Sequence, residues 1–174
     1  IDEFEIDGWR FDVANELDHT FVREINKSIK SKYPDFYLLA EMWHDPSGWI
    51  SYDQFDANME YEISNIFVNL VNKKIDIDQA INILMEIQFR TPINHFDSQF
   101  HLVSSHDTER LLNMVNFDID NAFIVLFALA IQKGSICIFY GDEYLLEGGK
   151  DPLCRACLPI EITENQVNLK NRFK

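Results

Sequence analysis

Asp7-Gly8-Trp9-Arg10-Phe11-Asp12-Val13-Ala14-Asn15-Glu16 is the stretch whose reading decides the rest of the chain. As an extended strand, with period two, it points Gly8, Arg10 and Asp12 to one side and Trp9 and Phe11 to the other. The flanks, Phe4-Glu5-Ile6 and Val13-Ala14, predict a largely buried strand of the kind found in parallel sheets covered by helices. Arg10 and Asp12 then share the inside of a protein two residues apart. Buried charges are costly unless paired, so the pair is either structural or maintained for chemistry.

Working outward, the chain alternates strands with helices. Asp18 or Thr20 caps a helix through Phe21, Ile25 and Ile29 to Ser31, with Lys27, Lys30 and Lys32 near its end, and Tyr33-Pro34-Asp35 stops it. Phe36-Tyr37-Leu38-Leu39-Ala40 is a short apolar run that ends in Glu41-Met42-Trp43-His44-Asp45. Phe55 to Met59 is a weaker strand, followed by helical patterns through Ile63, Ile66, Phe67 and Leu70 and from Asp78 to Phe89. Phe100-His101-Leu102-Val103 reads as a strand running into Ser104-Ser105-His106-Asp107-Thr108-Glu109-Arg110. Asp120 or Asn121 caps an apolar core helix from Ala122 to Gln132, closed by Gly134. Ile136 to Tyr140 is a further buried strand opening into Gly141-Asp142-Glu143, and Glu164 to Phe173 is a final helix.

Such alternation implies parallel strands with right-handed helical crossovers, an α/β fold. Ionisable residues gather where the apolar runs end, and ligand sites lie at those ends in open α/β sheets and in (β/α) barrels alike. No G-x-G-x-x-G or G-x-x-x-x-G-K-[ST] follows a strand, which removes the nucleotide-binding version and leaves a barrel.

Composition narrows the partners. The 174 residues are 47% hydrophobic and 25% charged, normal for a globular domain. Against 15 Lys and Arg stand 29 Asp and Glu, a net charge of -14. With no basic patch to meet phosphates, nucleic acid and anionic lipid are not expected as partners. No apolar run reaches the length a bilayer needs, so no membrane span is expected either. Cys137, Cys154 and Cys157 make no even disulfide framework, and Cys154-Arg155-Ala156-Cys157 lacks a second pair or a suitably spaced histidine. These thiols, with no signal-peptide pattern, point to a cytoplasmic protein. His19, His95 and His101 read as packing or surface residues, and without a His-x-His strand motif no metal site is expected.

Four of these segments, in this order, resemble the α-amylase family of glycoside hydrolases. Asp7 to Glu16 is similar to the family's fourth barrel strand, Leu39 to Asp45 to the fifth, Val103 to Arg110 to the seventh and Ile138 to Glu143 to the eighth. Val13-Ala14-Asn15-Glu16, Trp43-His44-Asp45 and Gly149-Lys150-Asp151-Pro152 with Cys154 and Cys157 resemble the branch of neopullulanase, cyclomaltodextrinase and maltogenic amylase. The resemblance implies a (β/α)8 TIM-type barrel and a retaining hydrolase of malto-oligosaccharides, cyclodextrins or pullulan, acting on α-1,4 linkages, with α-1,6 linkages left open. It makes Asp12 the nucleophile, Glu41 the general acid/base and Asp107 the transition-state stabiliser. It also has Arg10 orient Asp12 and keep it ionised, and His106 bind sugar hydroxyls. Trp43 and His44 either line sugar subsites or pack, and Asn15 and Glu16 either touch substrate or cap the next helix.

The family's third-strand segment, with its aspartate, asparagine and histidine, is not among these residues. A full barrel takes about 250 residues. Residues 1–174 are therefore expected to be a partial catalytic domain, the second half of a barrel with about strands four to eight. Its open edges would favour association with another copy, and any calcium would bind outside this segment. An enzyme of this kind stands against a non-catalytic half-barrel that binds glucan or associates, and against a transglycosylase using the same residues.

Overall fold

The computed structural model describes residues 1–172. The first strand, β1 (Gly8–Phe11), leads through a 3-10 turn at Ala14–Glu16 into α1 (His19–Lys30), and β2 (Tyr37–Ala40) follows. Then come β3 (Ala57–Asn58), α2 (Tyr61–Val71), α3 (Ile77–Arg90), a 3-10 segment at Ile93–Ser98 and β4 (Phe100–Leu102). The remainder is α4 (Leu111–Met114), α5 (Ile119–Ala130), β5 (Ser135–Cys137), 3-10 turns at Asp142–Tyr144 and Leu153–Arg155, and α6 (Glu164–Asn171). Phe173, the expected end of the last helix, lies outside the described residues.

In one sheet β1, β2 and β3 are parallel, with Gly8 opposite Tyr37, Phe11 opposite Ala40 and Leu39 opposite Ala57. Just past β3, Met59 bridges Phe100 in parallel, and β4 pairs with β5. The described residues fall into two compact units, one of residues 1–62, 85–100 and 133–135, the other of 63–84, 101–132 and 136–172.

The first unit is built as period two dictates. Trp9 meets Phe36 edge-on at 5.4 Å and Phe11 meets Phe55 at 5.2 Å, so the apolar face of β1 joins the core of Val22, Ile29, Leu38 and Phe55. Helix α1 starts at Asp18, whose carboxylate accepts from the N–H groups of Thr20 (2.8 Å) and Phe21 (3.2 Å). Lys30, in its last turn, reaches Asp56 at 2.8 Å. A correction concerns β1: it is not largely buried, since Trp9 is 39% exposed and Arg10 and Asp12 face solvent. Among the described residues it pairs as a strand only with β2, which leaves its other edge open.

In the second unit, Arg110 is fully buried and lies over the rings of Phe139 (4.9 Å) and Tyr140 (4.8 Å), donating to the Tyr140 carbonyl at 2.6 Å. Asp142, 3.6 Å from that guanidinium, also accepts from the Ser104 hydroxyl. Burial pushes Asp142 up to about 6, against the pull of Ser104 and Arg110. Gly141 has φ +91, and a Cβ there would lie 2.7 Å from Leu146 and 2.9 Å from Arg110.

Three further expectations change. The cap of α5 is Asp118, which accepts from the Asn121 N–H at 2.9 Å, not Asp120 or Asn121. That helix is apolar all round yet buries only the face of Ala122, Val125, Leu126 and Leu129, leaving Phe127 68% exposed. The strand expected at Ile136–Tyr140 is shorter and not buried: Ile136 and Ile138 are each 39% exposed, because among the described residues β5 pairs only with β4.

Candidate active site

In the first unit, the C-terminal ends of β1 and β2 bring Arg10, Asp12 and Glu41 together. Parallel pairing sets Phe11 beside Ala40, and the chain continues in register, Glu41 donating its N–H to Phe11 (2.9 Å) and Ala14 donating to Glu41 (3.0 Å). The three guanidinium nitrogens of Arg10 have three different partners. One terminal nitrogen holds Asp12 at 3.0 Å, the other holds Glu41 at 2.9 Å, and Nε donates to the Met59 sulfur at 3.2 Å. Glu41 is 3% exposed and its Oε2 also accepts the Val13 N–H at 3.0 Å, whereas the Asp12 side chain is 72% exposed. Val13 has φ 45, a left-handed turn that swings the chain out of the strand and aims its N–H at Glu41.

Chemically, this is a pair of carboxylates held side by side by one cation, one open to solvent and one enclosed. Retaining glycosidases require such a pair, about 5 to 5.5 Å apart, one to attack and one to transfer a proton.

Other expected residues sit nearby in the same unit. Trp43 stacks on Tyr61 with ring centres 4.0 Å apart and planes 7° apart, and keeps 42% of its surface exposed. His44 is exposed, as are Asn15 and Glu16 on the 3-10 turn that follows β1. The cap of α1 is Asp18, so neither Asn15 nor Glu16 serves as its cap.

The second unit holds His106 and Asp107, just beyond β4. His106 Nε2 is 2.9 Å from one oxygen of Asp107, and Arg155 donates to the other at 2.9 Å. Arg155 is fixed in turn by Asp151 at 2.6 Å, and the buried Cys154 thiol donates to the His106 carbonyl at 3.2 Å. The Cys154-Arg155-Ala156-Cys157 stretch thus holds the His106-Asp107 segment through its arginine and one thiol. Read for its cysteines, the stretch hid the arginine; the signal was a lone cation four residues after Asp151. Among the described residues no group of three or more His, Cys, Asp or Glu side chains is disposed to hold a metal ion.

The sequence model of the alpha amylase catalytic domain matches residues 1–173. The chain belongs to the α-amylase family. Within that family it is 42% identical over 157 residues to the maltogenic alpha-amylase of Bacillus acidopullulyticus, a match covering 90% of this chain and 27% of that protein. It is 40% identical over 175 residues to the cyclomaltodextrinase of Geobacillus thermopakistaniensis, covering 100% of this chain and 30% of the relative. Among solved structures, the cyclic alpha-maltosyl-(1→6)-maltose hydrolase of Arthrobacter globiformis superposes with a TM-score of 0.89 at 30% identity, over 96% of this chain and 39% of that one. The chain therefore spans less than a third of the length of these two curated relatives. Its relatives are glycoside hydrolases by name, and the family is one of TIM-barrel enzymes. No helix among the described residues is long and apolar enough to cross a membrane.

Proposed function

We propose that residues 1–174 are a partial catalytic barrel domain, about strands four to eight of a (β/α)8 barrel, of a retaining α-glucan hydrolase. Its substrates are malto-oligosaccharides, cyclodextrins or pullulan, as the names of its relatives and the net charge of -14, unsuited to anionic partners, both favour. The observation that carries this reading is the single Arg10 guanidinium gripping both Asp12 and Glu41.

Asp12, the exposed carboxylate, attacks the anomeric carbon while Glu41 gives its proton to the departing glycosidic oxygen. A glycosyl ester on Asp12 results, and the shortened glucan leaves as an alcohol. Glu41, now a carboxylate, takes a proton from water as that water attacks the same carbon, freeing the sugar and restoring both groups. Both side-chain contacts of Glu41 fall on Oε2, so in this reading Oε1 takes up the proton as substrate binds, while in the free chain the carboxylate is the ion-pair partner of Arg10. In this reading Asp107, oriented by His106 and Arg155, stabilises the positive charge of the transition state. Trp43 offers its exposed ring face to a pyranose, and His44, Asn15 and Glu16 contact hydroxyls near it.

The 174 residues alone are proposed to fall far short of a complete hydrolase, and activity on β-cyclodextrin equal to that of the Geobacillus cyclomaltodextrinase overturns that point. The chemistry is tested by grafting residues 1–174 in place of the matching segment of that enzyme. A folded graft should release sugar from β-cyclodextrin and lose about 10³-fold or more of its kcat on Asp12→Asn. A graft that keeps its rate with asparagine at this position refutes the assignment.

A further inference from the structure

We propose that Met59 is a positioning residue for the two carboxylates, acting through Arg10. This rests on the reading that Asp12 and Glu41 carry the reaction. The guanidinium has three nitrogens, and two of them are committed to Asp12 and Glu41. A planar group held at two corners still pivots about the line joining them as far as the torsions of its own side-chain stem allow. The third contact, Nε–H to the Met59 sulfur at 3.2 Å, removes that pivot and fixes the plane in which both carboxylates are gripped.

Met59 is itself tightly anchored. It is 5% exposed, its N–H donates to Ala40 at 2.9 Å, its carbonyl accepts from Asn58 at 3.0 Å, and it bridges Phe100 in parallel. Asn58 in turn takes the Met42 N–H at 3.0 Å, directly beyond Glu41. The sulfur therefore sits on the same strand framework that carries Glu41. An aliphatic residue of similar volume would fill the space and leave Nε–H without its acceptor. A thioether suits the place because it packs as a hydrophobe and accepts a hydrogen bond at once.

Two readouts test this. The chain has four methionines, so labelling their methyl groups with carbon-13 gives four resonances in the intact 174-residue protein. Met59→Leu identifies its own signal by deletion. Arg10→Lys, which keeps the positive charge but offers no Nε–H at that point, is expected to shift the Met59 signal while those of Met85 and Met114 stay put. An unmoved Met59 signal overturns the proposal. In the grafted hydrolase, Met59→Leu should lower kcat about tenfold with KM unchanged, and Met59→Gln, which restores an acceptor, should recover most of it. Thermal stability should run the other way, leucine above glutamine, because a buried amide has groups to satisfy. Full kcat in Met59→Leu, or activity that simply follows stability, refutes the role. An inactive wild-type graft would count against the assignment of Asp12 and Glu41, while the methyl signals would still decide whether sulfur and guanidinium are coupled.

Discussion

Arg10 holds two carboxylates at nearly equal distances, 2.9 Å to Glu41 and 3.0 Å to Asp12, yet the two bonds should differ several-fold in what they contribute to stability. Breaking a buried pair from one side costs about 3–5 kcal/mol, because the surviving charge is left uncompensated. Glu41 is such a charge at 3% exposed, but the Arg10 side chain is 32% exposed and solvent takes part of the load, so the coupling should be about 2–3 kcal/mol. Asp12, with 72% of its side chain exposed, belongs with surface pairs, worth about 0–1 kcal/mol. The test is a pair of double-mutant cycles with Arg10→Met, Glu41→Gln and Asp12→Asn, followed by urea unfolding at pH 7. Trp9, Trp43 and Trp49 are the only tryptophans and all lie in the first unit, so their fluorescence reports the unit that contains the contact. Arg10→Met should destabilise by about 2–3 kcal/mol alone and by under about 1 kcal/mol when Glu41 is already glutamine. In the Asp12→Asn background the loss should stay near its full size. Equal losses in the wild-type and Glu41→Gln backgrounds would show that burial of Glu41 is not what gives this ion pair its strength.

Burial, helped by Glu62 and opposed by Arg90, pushes Glu60 from its ordinary 4.5 up to about 7. Between those values the folded chain holds a proton that the unfolded chain has released, so this group's contribution to stability falls as pH rises from about 4.5 to 7. Glu60→Gln should therefore shrink the loss of stability between pH 5 and pH 8 by about 2 kcal/mol, and an unchanged difference in urea midpoints sinks the assignment. Asp118→Ala should cost about 1 kcal/mol as the loss of the α5 cap, and Asp120→Ala less than half of that; thermal melts in the reverse order would restore the cap to Asp120. Gly141→Ala should lower stability by more than about 2 kcal/mol, since it combines a left-handed φ with a Cβ pressed on Leu146 and the buried Arg110, and a neutral melt contradicts that packing.

What was legible in the sequence is what depends on near neighbours. Period two alone placed Trp9 and Phe11 on one face of β1 and Arg10 and Asp12 on the other, and the cap of α1 was narrowed to Asp18 or Thr20, of which the structure uses Asp18. The choice of Asp118 over Asp120 was not legible, because several oxygens within four residues can each cap a helix. The register that buries Ala122, Val125, Leu126 and Leu129 decides between them. Exposure failed for a different reason. Apolar content around β1 and β5 signals a strand suited to burial, but whether it is covered depends on what pairs with its outer flank, and each has one partner among the described residues. The site divides along the same line. Arg10 and Asp12 are two residues apart and declared themselves, while Met59 reaches Arg10 across 49 residues and Arg155 reaches Asp107 across 48. No local pattern marks Met59 as a partner of Arg10, and the four-residue spacing of Arg155 from Asp151 marks it as a partner of that carboxylate, not of Asp107. Met59 has its place because β3 runs parallel to β2 and delivers the next residue beside the open face of β1. In the order β1-β2-β3 Met59 stands two strands from Arg10, and it is the length of the arginine side chain that spans the interval to the sulfur.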